Sequence, residues 1–121
     1  MIPEALRREL LSELAEARHD AAPGRVRDAE LALGDLPAEP AARLGAAMRA
    51  LLRHRRPEST ICPSDAARVT GGESWRDLMD EAREVAAELA RDGVITVRQH
   101  GAEVDVATAT GPIRLARGPR W

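Results

Sequence analysis

Between Ser74 and Gly93 the apolar residues Trp75, Leu78, Met79, Ala82, Val85, Ala86, Leu89 and Ala90 recur at steps of three and one. That spacing marks one face of an α-helix. Directly after Gly93 the spacing drops to two. VITVRQ (94–99) and AEVDV (102–106), joined by His100-Gly101, read as two strands and a tight turn. Few architectures let a long amphipathic helix run straight into a hairpin. Ser74 is placed to cap the helix, which is predicted to open at Trp75, and Gly93 suits the left-handed position behind it. PIRLAR (112–117) is a last short strand with Ile113 and Leu115 on one face and Arg114 on the other. The tail GPRW (118–121) is expected to fray.

Upstream, residues 3–18 read as a helix. Pro3 and Glu4 suit its first turn, and Leu6, Leu10, Leu14 and Ala17 form its stripe. Ala21-Ala22-Pro23-Gly24 should end it, and a weaker helical turn follows over 25–33. Residues 34–40 carry two prolines and mark a soft boundary. Over 41–55, Leu44, Ala47, Met48, Leu51 and Leu52 restore the helical period until Pro57 stops it. Ser59-Thr60-Ile61 is β-branched and reads as extended. Pro63 opens a short helix over 63–69 that Gly71-Gly72 breaks. The expected class is therefore mainly α with a small antiparallel β-wing. A winged helix-turn-helix spans 41–117, an N-terminal helical extension spans 1–40, and a tail spans 118–121.

Composition limits the core and the compartment. Phe and Tyr are absent, so Leu, Val, Ile, Met and Ala must fill the interior, with Trp75 the one large aromatic away from the C-terminus. All 18 basic residues are arginine. No apolar run approaches the ~18–20 residues that a bilayer needs. The charged N-terminus does not read as a secretory signal, and a single cysteine forms no internal disulfide. A cytoplasmic location is expected. Charge alternates along the chain: net −4 over 1–40, +4 over 41–72, −4 over 73–92 and +2 over 93–121. The acidic first segment should dock on the basic second, within one chain or between two.

The run RRPESTICPSDAARVTGG, then Trp75, then REVAAELARDGVITVRQHG, Val104-Asp105 and GPIRLAR resembles a bacterial family of small winged-helix domains without an assigned function. The shared hallmarks are TICPS-(D/E)-x-AR, the tryptophan, G-x-(I/V)-x-(I/V)-x-Q-x-G and GPIR. The resemblance covers roughly 43–117 and leaves 1–40 outside. It implies the winged-helix fold and carries no catalytic or ligand role.

Cys62 stands before a helix start, where a thiolate would be favoured. No spacing links it to His19, His54 or His100 as a base. It is read, with Pro63 and Trp75, as structural: a small packing residue that tightens the turn. A thiol enzyme is the remote alternative. No C-x-x-C or H-x-x-x-H spacing points to a metal, and no cofactor is expected.

Nucleic acid is the usual ligand of such a fold, yet the outer face of helix 75–92 carries five acids against Arg76 and Arg83. A phosphate-lined groove disfavours that face. The candidate nucleic-acid residues are Arg53, Arg55, Arg56 and Arg68 near the helix-turn-helix entry, Arg76 on the helix, and Arg98, Arg114 and Arg117 on the wing. The leading expectation is a non-catalytic, regulatory binding module with weak or wing-centred nucleic-acid contact. The alternative is a protein–protein adaptor or homodimer; the stripe of Leu6, Leu10 and Leu14 either packs on its own domain, completing a core without Phe, or meets a partner.

Overall fold

The structure, a computed structural model, describes residues 1–121. Its elements run α1 (Glu4–His19), α2 (Pro23–Leu33), α3 (Pro40–His54), α4 (Pro63–Gly71), a 3-10 helix (Gly72–Leu78), α5 (Met79–Arg91), β1 (Ile95–Gln99), β2 (Ala102–Glu103) and β3 (Arg114–Arg117). The fold is mainly helical with one small antiparallel sheet, consistent with a winged-helix-like architecture. No helix is long and apolar enough to cross a membrane.

Pro23 does more than end α1. It opens α2 as the first residue of a full helix, where its missing N–H costs nothing. The reversal between the two is tight. Ala22 N–H reaches Ala17 O at 3.0 Å and Ala21 N–H reaches Arg18 O at 3.1 Å, with Ala21 at φ +50°. This is the Schellman closure, here with alanine in the position that favours glycine. Ala21→Gly should therefore raise stability by roughly 0.5–1 kcal/mol, relief of the left-handed strain being partly offset by a freer unfolded chain. Urea denaturation measures it directly.

At the far end of α2 the chain turns through Gly34 at φ +83°. Arg43 of α3 donates to the C-terminal carbonyls of Leu31 and Ala32 at 3.2 and 3.3 Å. Its remaining nitrogen reaches Thr70 O at the end of α4. One guanidinium thus ties three helices together.

The helix expected from Trp75 begins later. Residues 72–78 wind as 3-10, Ser74 leaves helical geometry (φ −94°, ψ 19°), and the α-helix starts at Met79 without a side-chain cap. The cause lies in the preceding glycines. Gly72 sits at φ +57° with the backbone of Met1 packed against it, and a Cβ on Gly71 would meet Leu78 Cδ1 at 2.8 Å. The tighter 3-10 winding stacks residues three apart, so Trp75 and Leu78 come together over Gly71. As a result Trp75 is half-buried, while Ala82, Val85 and Ala86 carry the buried face of α5.

The sheet order is β2-β1-β3. His100 and Gly101, both at positive φ, make the two-residue turn between β1 and β2. The returning strand is shorter than AEVDV. After Val104 N–H bonds Val97 O at 2.9 Å, Asp105 folds the chain into a turn through Ala107 N–H and Thr108 N–H. β3 pairs with β1 in the register Val97↔Leu115 and Arg98↔Arg114. Ile61 bridges Leu115 on the other side, at 2.9 and 2.7 Å, so the extended reading of 59–61 holds.

One apolar cluster runs through the molecule. It joins Leu6, Leu10 and Ala32 of the first forty residues to Leu44, Met48, Leu51, Ile61, Val85, Ile95 and Leu115. The C-terminal tail is held in place rather than frayed. Gly118 N–H bonds Val94 O at 2.9 Å and Arg120 N–H bonds Gly93 O at 2.8 Å. A side chain at Gly118 would run into Gly93 O and the backbone of Ile95. Trp121 then lies beside the Arg53 and Arg117 guanidinium groups, 5.4 and 5.2 Å from its ring centre.

Candidate functional site

A shallow groove lies between α5 and the loop behind the hairpin. Two adjoining hollows of about 570 and 390 Å³ occupy it. Their floor is apolar, formed by Ala87, Ala90, Val104 and Val106, and their rim carries Asp80, Glu84, Glu103 and Asp105. Of the two rim arginines, Arg91 is exposed and Arg83 is engaged elsewhere. Arg83 donates to Ala109 O at 3.0 Å and Gly111 O at 3.4 Å. From the other side Gln99 Nε2 donates to Thr110 O and Pro112 O. These two side chains hold the loop open beside α5, so the groove is built into the fold. Of these acids, Asp80 and Glu84 lie on the outer face that the apolar spacing of α5 predicts, and both are exposed.

The eight candidate arginines fall into three groups. Arg53, Arg55 and Arg117 are engaged internally. Asp28 of α2 is buried and receives Arg49 at 3.2 and 3.0 Å and Arg53 at 3.0 Å. Glu9 of α1 receives Arg55 through a two-point clasp at 3.0 and 2.9 Å. Those bonds raise the Arg55 pKa above its ordinary value, against the opposing effect of burial, so its charge is permanent. Arg117 reaches back from β3 to the end of α3 and donates to Leu52 O, Arg53 O and Arg55 O at 3.0–3.3 Å. A further bond from its Nε to Leu52 O measures 3.2 Å.

Arg68 and Arg76 form the second group. Each guanidinium lies 4.5 Å from the ring centre of Trp75, a cation–π arrangement. The third group, Arg56, Arg98 and Arg114, is exposed. Arg98 and Arg114 stand side by side on the outer sheet face. Arg114 also binds the hydroxyl and carbonyl of Thr60 at 2.9 and 3.0 Å. The eight therefore do not converge on one surface.

The leucine stripe takes the first of its two expected placements, against its own domain, and not the placement at a partner. Leu6, Leu10 and Leu14 are buried within their own chain, Leu10 completely. α1 turns that face inward, where α2 and α3 cover it. Leu11, on the adjoining face, is the exposed leucine.

Cys62 takes the N-cap position of α4, with Pro63 behind it. Asp65 Oδ2 accepts the Cys62 backbone N–H at 3.0 Å, the reciprocal bond of a capping box in which cysteine stands where serine or threonine is usual. The thiol is half-buried, not sealed in the core. Its place in the cap accounts for the residue types around it.

A family model described as "Protein of unknown function (DUF3253)" matches residues 41–118. The chain belongs to this family. No curated protein matches the chain. The DUF3253 segment opens one residue into α3 and closes at Gly118, which seats the tail against Gly93. It contains α3, the Cys62 cap, the Trp75 stack and the whole groove between α5 and the wing. α1 and α2 lie before it, although they share its core.

Proposed function

We propose that this chain is a non-catalytic adaptor whose groove between α5 and the wing receives a basic, apolar-anchored segment of another protein. The acidic rim over an apolar floor carries the reading. In winged-helix proteins that read DNA, the first turns of the corresponding helix enter the major groove. Here those turns bear Asp80, Glu81 and Glu84, preceded by Glu73 and Asp77. Phosphates would be repelled along that face, whereas a cationic partner would be attracted and steered. The wing supplies a second wall and the small residues of α5 leave room for larger side chains.

A second reading rests on the outer sheet face. Arg98 and Arg114 are neighbours across β1 and β3, both exposed, and like charges opposed on a sheet cost stability unless something else uses them. They would contact a nucleic-acid backbone without reading sequence.

Fluorescence anisotropy at low salt separates the two. The probes are a designed amphipathic peptide with an arginine face and a leucine face, and a short DNA duplex. The adaptor reading expects peptide binding that weakens with salt and falls at least about tenfold in the Asp80→Arg, Glu84→Arg double variant. Duplex binding whose salt slope flattens in Arg98→Ala or Arg114→Ala would replace it with the second reading. Failure of both probes to bind would remove both.

A further inference from the structure

Glu13 and Glu16 of α1 meet His54, the last residue of α3, at one edge of the helical layer. One ligand atom from each lies within 4.8 Å of the others. The sequence gives no hint of this set, because 38 residues separate Glu16 from His54 and only the packing of α1 on α3 brings them together.

Three observations give the cluster a purpose beyond a surface ion pair. Glu13 is completely buried. Its two oxygens each accept one bond from Arg25, Nε and Nη2, both at 3.0 Å, which leaves each oxygen a free lone pair. Second, His54 Nδ1 is sealed from solvent and has no hydrogen-bond partner. A buried nitrogen without a partner carries a desolvation penalty that a bound group would relieve. Third, charge is left over. Glu13, Glu16 and Asp20 surround the single Arg25, with Glu16 at 3.8 Å and Asp20 at 3.1 Å from it. A cation is the ligand that this surplus favours.

We propose that Glu13, Glu16 and His54 bind a divalent transition-metal ion of the zinc class, with Arg25 orienting the Glu13 carboxylate from behind. One imidazole and two carboxylates are the mixed nitrogen and oxygen donors that zinc accepts. Magnesium and calcium prefer oxygen alone. Ligation at the ~2.0–2.2 Å of zinc draws the exposed Glu16 and the half-buried His54 in toward Glu13. Glu16 faces solvent, which provides the entry path and room for water ligands. The ion would staple α1, which precedes the DUF3253 segment, to α3, which lies inside it. Bound metal would therefore stabilise the junction of the two.

Full-length protein stripped with a chelator provides the test, with zinc chloride and magnesium chloride as probes. Equilibrium dialysis should find about one zinc per chain, and the melting temperature should rise by several degrees with zinc but not with magnesium. Glu16→Gln is exposed and should melt normally without metal, yet bind zinc at least about tenfold more weakly, as should His54→Ala. If His54→Ala does not fold, Glu16→Gln decides alone. Absence of zinc binding overturns the proposal. So does zinc binding unchanged in Glu16→Gln, which would put the ion elsewhere, or an equal response to magnesium.

Discussion

Leu10→Ala should lower the folding stability by about 3 kcal/mol, within the range for leucine truncations in a packed core. Leu10 is completely buried in the cluster that also holds Leu44, Leu51 and Ile61, and the absence of Phe and Tyr leaves few large side chains able to close the gap. The expected result is a lower urea midpoint with an unchanged m-value, independent of protein concentration. Concentration dependence would mean instead that Leu10 acts across an interface between copies. Sedimentation of the wild-type chain should agree, since the stripe that would have formed such an interface is covered by α2 and α3.

Arg117→Ala should cost about 2–3 kcal/mol, an unusual penalty for an arginine on a short edge strand. Its Nε and Nη2 share their three N–H groups among the carbonyls of Leu52, Arg53 and Arg55 at the C-terminal end of α3. Bonds from a charged donor contribute about 1.5–3 kcal/mol where they are not redundant, and a cation at a helix C-terminus adds roughly 0.3–1 kcal/mol. Trp121 loses one of its two flanking guanidinium groups as well. Arg117→Lys should recover only part of the loss, because one ammonium nitrogen cannot replace the planar pair of Nε and Nη2 that meets Leu52 O. Arg98→Ala is the control: exposed on the outer sheet face, it should change stability by no more than about 0.5 kcal/mol. Equal losses in the two variants would show that the cap contributes little.

The contrast between Arg98 and Arg117 shows why arginine roles could not be read from pattern. Alternation along β3 assigns Arg114 outward, and it is exposed. Arg117 pairs with Ile95 in the register and so faces the helices, where orphan carbonyls wait. Period two in RLAR puts Arg117 on the face of Leu115 but does not reveal that the end of α3 lies within its reach. Trp75 is a similar case. Its stripe is real, but a helix period cannot reveal the 3-10 start that follows Gly71-Gly72, where the backbone of Met1 packs against Gly72. AEVDV alternates like a strand, yet the Asp105 side chain bonds its own backbone and ends pairing early.

Other features were legible because they are local. Pro63 and Asp65 announced a helix start, His100-Gly101 a two-residue turn, and the acids on α5 an electronegative face. The alternation of charge was also informative: the acidic first segment does dock on the basic second, through Glu9 to Arg55 and Asp28 to Arg49 and Arg53.

Short-range order, helix and strand periods and segment charge were thus written into the chain, since each depends on neighbours within a few residues. Whether the acidic segment would clasp its own chain, which arginines would be left exposed, and that Glu13, Glu16 and His54 would meet were decided by tertiary packing. Those outcomes depend on the angle at which α1 and α2 settle on α3, and no spacing along the sequence encodes it.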